Sequence, residues 1–303
     1  MRDSRDECRV LLTDGRGECE VAPGQGGCLT AFRWRSEDGV IDWLRPAPAS
    51  GGFAPNASAC FPLVPYSNRI RDGRFHFAGR NLRLEPNFAP SRHTIHGHGW
   101  QLPWRVADQN PDRVRLVYAH DGSDWPAPYR AEQHFQLENG ALTLEIALVN
   151  EGTAAMPAGL GLHPYFPRTP ACRLTAGVTG MWVTDSEVMP TGLVTPAAGA
   201  DPSAGLRPAT AALDNCFTGF DGRATIDWPE LGASLALECD PALAFLVVYT
   251  PAGADYFCAE PVSHCTDAVN LAAHRGDTGL QVLEPGERLA ARVRFLPRLA
   301  GES

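Results

Sequence analysis

The sequence predicts an all-β chain, built as a sandwich or barrel of antiparallel sheets. Three observations carry that expectation. Short runs of alternating apolar and polar residues recur along the chain, as in Ala141-Leu142-Thr143-Leu144-Glu145-Ile146-Ala147-Leu148-Val149. A period of two is the mark of a half-buried strand. The 30 Gly and 26 Pro are dispersed without period, so turns punctuate those runs throughout. No stretch sustains a 3.6-residue apolar period over three turns, which a core-facing helix would need.

The elements follow in order. The first dozen residues are largely polar, and residues 1 to about 18 are expected to be loosely held. Phe75-His76-Phe77 and Leu82-Arg83-Leu84 flank Ala78-Gly79-Arg80-Asn81 and read as a hairpin. Residues 114–118 follow the turn signal Pro111-Asp112, and the 141–149 strand follows Glu138-Asn139-Gly140. Residues 195–212, rich in Ala, Pro and Gly, read as a long loop. Later strands are expected at 224–228, 234–238, 245–249 and 292–295. Composition does not change across the long loop, so residues 1–303 read as a single domain.

Composition narrows the function classes. With 44% hydrophobic and 20% charged residues, the chain can bury a sizeable core and is not disordered. A formal net charge of −9 argues against nucleic acid and against an anionic membrane surface, both of which need a basic stripe. A neutral small molecule fits better. The N-terminus lacks an apolar signal core, and no apolar run approaches the roughly 20 residues of a membrane span. Nine dispersed cysteines, none in a CxxC pair, disfavour a disulfide framework and a zinc ribbon. Cys60, Cys172, Cys216 and Cys239 sit beside apolar residues and read as small core groups in a reducing compartment. The cytoplasm is the expected location.

Four polar islands interrupt apolar or turn surroundings. They are His96 and His98 in His96-Gly97-His98-Gly99-Trp100, His163 before Pro164-Tyr165-Phe166, Asp214 before Asn215-Cys216-Phe217, and Glu260 before Pro261. Imidazoles and carboxylates scattered on a β-rich chain suit acid–base chemistry on a neutral polar substrate. Each also has a plainer reading. On a strand, His96 and His98 would face one side, and such a pair with His93 begins many zinc or iron sites. However, no acidic residue lies between Glu85 and Asp108 to complete one. His163 reads equally as a satisfied core histidine, Glu260 as half of a buried ion pair, and Asp214 as turn chemistry. Arg69, in Pro65-Tyr66-Ser67-Asn68-Arg69-Ile70-Arg71, reads as a hydroxyl-gripping donor or a surface arginine.

These motifs resemble the aldose 1-epimerase (galactose mutarotase) family, most closely the branch carrying Pro-Tyr-Ser-Asn-Arg-Ile and HGHGW. Asn68-Arg69, His96-Gly97, His163-Pro164-Tyr165-Phe166, Asp214-Asn215 and Glu260-Pro261 fall in the family's order, and the likeness runs from about Val21 to Phe295. Each motif is short; five in order are specific. The resemblance implies a large antiparallel β-sandwich holding a sugar. It implies Glu260 as general base, His163 as general acid and His96 as the second site histidine. Asn68, Arg69 and Asp214 match sugar-binding positions, and Trp100 is an expected stacking surface, with Trp228 or Phe217 as alternatives. His98 replaces a glycine of the typical His-Gly-Gly and is taken as a further substrate-binding group. The expected partner is a small-molecule sugar, with no metal or organic cofactor, and the chain is expected as a monomer or homodimer.

The reaction so implied is interconversion of the α and β anomers of a free aldose. Three rivals stand beside it: a non-catalytic carbohydrate-binding or sensing protein on the same fold, a glycoside hydrolase pairing Asp214 with Glu260, and a sugar-phosphate epimerase using Arg69, Arg71 and Arg74.

Overall fold

The computed structural model describes residues 9–36, 39–48 and 54–301. Their regular structure is almost all antiparallel strand, and two large sheets pack as a β-sandwich. One sheet runs edge to edge through Arg105–Asn110, Arg113–His120, Tyr129–Glu138, Ala141–Asn150, Arg288–Leu299, Ala233–Cys239, Arg223–Trp228 and Arg173–Ala176. Its strands alternate: Val114, Leu116 and Tyr118 are buried, whereas Arg113 and Arg115 are exposed. Such a sheet turns one face to the core and a charged face to water.

The second sheet begins at Val10–Thr13, Gly17–Ala22 and Cys28–Ser36, with Gly39–Asp42 pairing beside the last of these. It continues through Cys60–Leu63, Gly161–Pro167, Tyr256–Val262, Phe245–Tyr249, Asp214–Thr218, Gly180–Thr184 and Pro190–Val194. Phe32 meets Phe295 of the opposite sheet with ring centroids 6.4 Å apart, and Trp34 Nε1 donates across the gap to the Gly140 carbonyl. In the middle of this sheet alternation stops. Cys60–Leu63 and Phe245–Tyr249 are buried on both faces almost throughout, as are Gly161–Pro167 and Tyr256–Val262. One face meets the core, so something else must cover the other. That second cover is the site described below.

All the strands expected from residue 114 onward form, and residues 195–213 are a loop carrying one short 3-10 turn, Pro202–Ala204. Two expectations need correction. The N-terminal segment expected to be loosely held is strand from residue 10, because Val10 and Leu12 bury their side chains while Leu11 and Thr13 face out; residues 1–8 lie outside the described residues. The hairpin at 74–83 turns on Ala78-Gly79 alone, since Arg80 pairs with Phe77 and Asn81 with His76. Both turn residues have positive φ, +47° and +76°, as a two-residue turn matched to strand twist requires. Cys60, Cys172 and Cys216 are buried free thiols, and Cys239 is half-buried. Among the described residues no helix is long and apolar enough to cross a membrane.

Candidate active site

Strand register builds the floor of the site. His163 pairs with Phe61 on one side. On the other, the pairs Gly161 with Val262 and Tyr165 with Cys258 put Glu260 beside it. Glu260 pairs in turn with Val247, and Val247 with Cys216. The next row on the same face runs Tyr165, Cys258, Tyr249, Asp214 by the same pairings. Residues far apart in sequence therefore converge because side chains two apart on a strand share a face.

Two loops cover the floor. Arg69 and Ile70 pair with Ile95 and Thr94, and the Asn87 side chain grips the Ile95 backbone through both its amide atoms, at 2.7 and 2.8 Å. Gly97 has φ +70°, and a Cβ there would lie 2.2 Å from the Val64 carbonyl oxygen; only glycine lets the two loops approach so closely. Between floor and cover lies a cavity of about 170 Å³, lined by His96, His163, Glu260, Asp214, Arg69 and Asn68 together with aromatic rings. It is smaller than a drug-sized pocket and suits one monosaccharide.

His163 Nε2 lies 3.2 Å from Glu260 Oε1. The imidazole is sandwiched between Phe61 and Tyr165, with centroids at 4.3 and 4.7 Å. Burial holds His163 down to about 3, because its charged form loses water. Burial likewise pushes Glu260 well above the usual carboxylate range; the Asp214 charge adds to this and Arg69 opposes it. Both directions favour a proton on the carboxyl group over one on the imidazole. His96, 6% exposed, is kept neutral by burial first and then by His163 and Arg69. Its Nδ1 accepts from the Asn68 amide at 3.1 Å. Arg69 reaches Asp214 at 3.6 Å. Arg45 lies 4.0 Å over Tyr165 and 4.3 Å over Tyr256 and donates to the carbonyls of Asn56 and Ser58, bracing the wall.

Of the residues singled out from sequence, Asn68, Arg69, His96, Trp100, His163, Asp214 and Glu260 line the cavity. His98 does not. Its Nδ1 meets Tyr129 Oη at 2.7 Å, its Nε2 lies 3.2 Å from Asp124, and its ring stacks on His120. Positive φ at His96 and Gly97 breaks the strand geometry that would have kept the two histidines on one side, so His98 lies outside the cavity. Trp228 and Phe217 sit in the main core instead. Phe61, Tyr165, Tyr249 and Tyr256 line the cavity too. Sequence reasoning missed them because an aromatic on a strand looks like core until register shows which row it joins.

The metal reading can be tested on geometry. His98, His120 and Asp124 bring three donor atoms within 4.8 Å of one another. The two rings stack at 4.3 Å and 13°, and both Nε2 atoms turn to the same Asp124 oxygen, at 3.2 and 3.1 Å, while His98 Nδ1 is held by Tyr129 Oη. His120 Nδ1 also accepts from the Gly122 amide, which places the ring hydrogen on Nε2. A second group, His163, Cys258 and Glu260, also lies close enough; burial pushes its Cys258 thiol up, so an ion there would have to displace the thiol hydrogen.

Comparisons with known proteins bear on the family and the fold. The profile of the aldose 1-epimerase family matches residues 9–296. The uncharacterized protein YphB of Escherichia coli K12 is 34% identical over 305 aligned residues, covering 94% of this chain and 98% of that protein. A crystal structure of a candidate aldose 1-epimerase from Escherichia coli K12 superposes with a TM-score of 0.87 at 29% identity, over 96% of this chain and 99% of that one. A galactose mutarotase-like protein from Clostridium acetobutylicum shares the fold, with a TM-score of 0.86 at 19% identity over 96% and 95%.

Proposed function

The chain belongs to the aldose 1-epimerase family, and we propose that it interconverts the anomers of a neutral, unphosphorylated aldose by ring opening and reclosure. The observation that carries this reading is the buried His163–Glu260 pair, 3.2 Å apart, in a cavity sized for one monosaccharide.

Opening a cyclic hemiacetal needs a base at the O1 hydroxyl and an acid at the ring oxygen. Both oxygens sit on one carbon, so an acid and a base in contact can serve them together. The O1 hydroxyl, donating to Glu260, favours its carboxylate form, and the dyad's proton passes to His163. Glu260 then takes the O1 proton while His163 protonates the ring oxygen; the C1–ring oxygen bond breaks and C1=O1 forms. After rotation about C1–C2 the ring hydroxyl attacks the other face. His163 recovers its proton and Glu260 returns one to O1. His96 offers Nε2–H to a sugar oxygen, Arg69 and Asp214 fix hydroxyls, and Trp100 and Phe61 supply an apolar face.

The charge balance favours a neutral sugar. Arg69, the lining arginine, is already paired with Asp214. Arg71 is held by Asp185 at 3.4 Å, and Arg74 sits on an exposed strand position. A phosphate would enter with no unpaired arginine among the described lining residues. The decisive assay follows anomer exchange by proton NMR over free aldoses, uronic acids and hexose 6-phosphates. Exchange of neutral aldoses well above the spontaneous rate is expected. Acceleration confined to 6-phosphates would overturn the substrate class, and binding without exchange would make this a sugar-binding protein.

A further inference from the structure

The loops over the floor carry an uncommon pair. Asn68 and His96 both have left-handed backbones, φ +58° and +62°, a region that non-glycine residues seldom enter. They are joined to each other twice. The His96 amide donates to the Asn68 carbonyl at 2.9 Å, and the Asn68 amide donates to His96 Nδ1 at 3.1 Å. A ring nitrogen that accepts a hydrogen bond carries no hydrogen, so neutral His96 must hold its hydrogen on Nε2. The Asn68 side chain points its Oδ1 to Arg69, accepting from the backbone amide at 2.9 Å and from Nη1 at 3.1 Å. The other arm of that guanidinium, Nη2, is the one that meets Asp214.

We propose that Asn68 is the positioning residue of this site: its backbone fixes His96 as an Nε2–H donor, and its side chain holds the Arg69 fork against Asp214. The consequence is a fixed polarity. An imidazole free to exchange tautomers would offer a sugar a donor or an acceptor. This one offers only a donor, so the sugar oxygen that meets it must accept. A carboxamide next to an arginine also sets the fork's angle before substrate arrives, which reduces the ordering left for binding. The kinetic consequences rest on the epimerase reading; the tautomer is a property of the sugar-free protein.

Two measurements test it together. Long-range nitrogen–proton NMR of the imidazoles, without sugar at neutral pH, is expected to show His96 as the Nε2–H tautomer. Steady-state anomer exchange is then compared for Asn68→Gly and Asn68→Asp. Glycine keeps the amide and accepts the left-handed backbone, so that variant should fold, retain the His96 tautomer and keep kcat within about threefold. Its KM should rise about tenfold, the scale of a lost hydrogen bond to a charged group. Aspartate restores Oδ1 and should bring KM back to within about threefold of the parent protein. A His96 ring with its hydrogen on Nδ1 overturns the proposal, as does an unchanged KM in Asn68→Gly. A fall in kcat alone would also overturn it, by making Asn68 a group that touches the reacting atoms. If the parent protein exchanges no sugar while His96 shows the expected tautomer, the epimerase reading falls. The positioning proposal then stands on the tautomer, with sugar Kd replacing KM.

Discussion

At the scale of single residues, the dyad combines poor electrostatics for folding with good chemistry. Glu260 is 2% exposed, and a buried carboxyl group resists ionisation. Glu260→Gln is expected to lower anomer exchange by about 10²–10⁴-fold, the range for removing a positioned acid–base group; near-normal turnover would remove Glu260 from the mechanism. The same variant carries a signature in stability. Glu260 has a folded pKa raised above its ordinary value of 4.5, so the stability of its protonated form is complete below that value and is lost as pH rises towards the folded one. The melting temperature of Glu260→Gln minus that of the parent should therefore widen upward between pH 4.5 and 8. A difference independent of pH would show that the carboxyl group is not protonated in the fold. His163, lowered to about 3, has the opposite sign: its neutral form survives acid that would protonate a free imidazole. The kcat/KM profile should stay flat from pH 7 down through pH 5, after subtraction of the spontaneous reaction. It should fall on the alkaline side as the pair gives up its one proton, with apparent values that belong to the pair. An acid limb near 6.5 would contradict this.

At the scale of elements, the 93–100 loop divides one motif between two tasks. His96 faces the cavity, and His98 ties the loop to Tyr129 of the opposite sheet and to Asp124. His98 thus sits as an anchor of the loop, outside the cavity. His98→Gly is expected to keep the order of preference among sugars while lowering stability by about 1–2 kcal/mol, the scale of a lost buried hydrogen bond with its packing. A changed substrate order would return His98 to the site. Gly97 makes the divergence possible. Gly97→Ala places a methyl group against the Val64 carbonyl and Pro65 at a backbone angle that costs about 1–3 kcal/mol by itself. Thermal melts and kinetics should show a less stable protein whose KM and kcat both worsen, because the Asn68–His96 contact must shift. Parent-like kinetics in a folded Gly97→Ala would mean that the loop has room to spare.

At the scale of the whole molecule, one face of the second sheet closes the core and its other face makes a site. That division explains why the central strands are apolar on both sides yet carry His163 and Glu260. Among the described residues, His98 and His120 already spend their Nδ1 atoms on Tyr129 and the Gly122 amide, and protein treated extensively with a chelator is expected to keep its activity and melting temperature. Activity lost on chelation and restored by one metal would revive the histidine-pair alternative. How far the sequence reached follows from the same architecture. Alternation of period two and dispersed turns were enough for the all-β class, because each strand's pattern is local and reports its own buried face. The short motifs around Asn68, His96, His163, Asp214 and Glu260 were legible as chemistry, because a polar group among apolar neighbours needs a reason to be there. Three things were decided only by the tertiary structure. Register chose which aromatics joined the site row, left-handed turns at His96 and Gly97 sent His98 away from it, and burial set the direction in which each partner of the dyad is shifted. Each depends on groups distant in sequence and brought together by strand pairing, and no local pattern encodes a distance across the sheet.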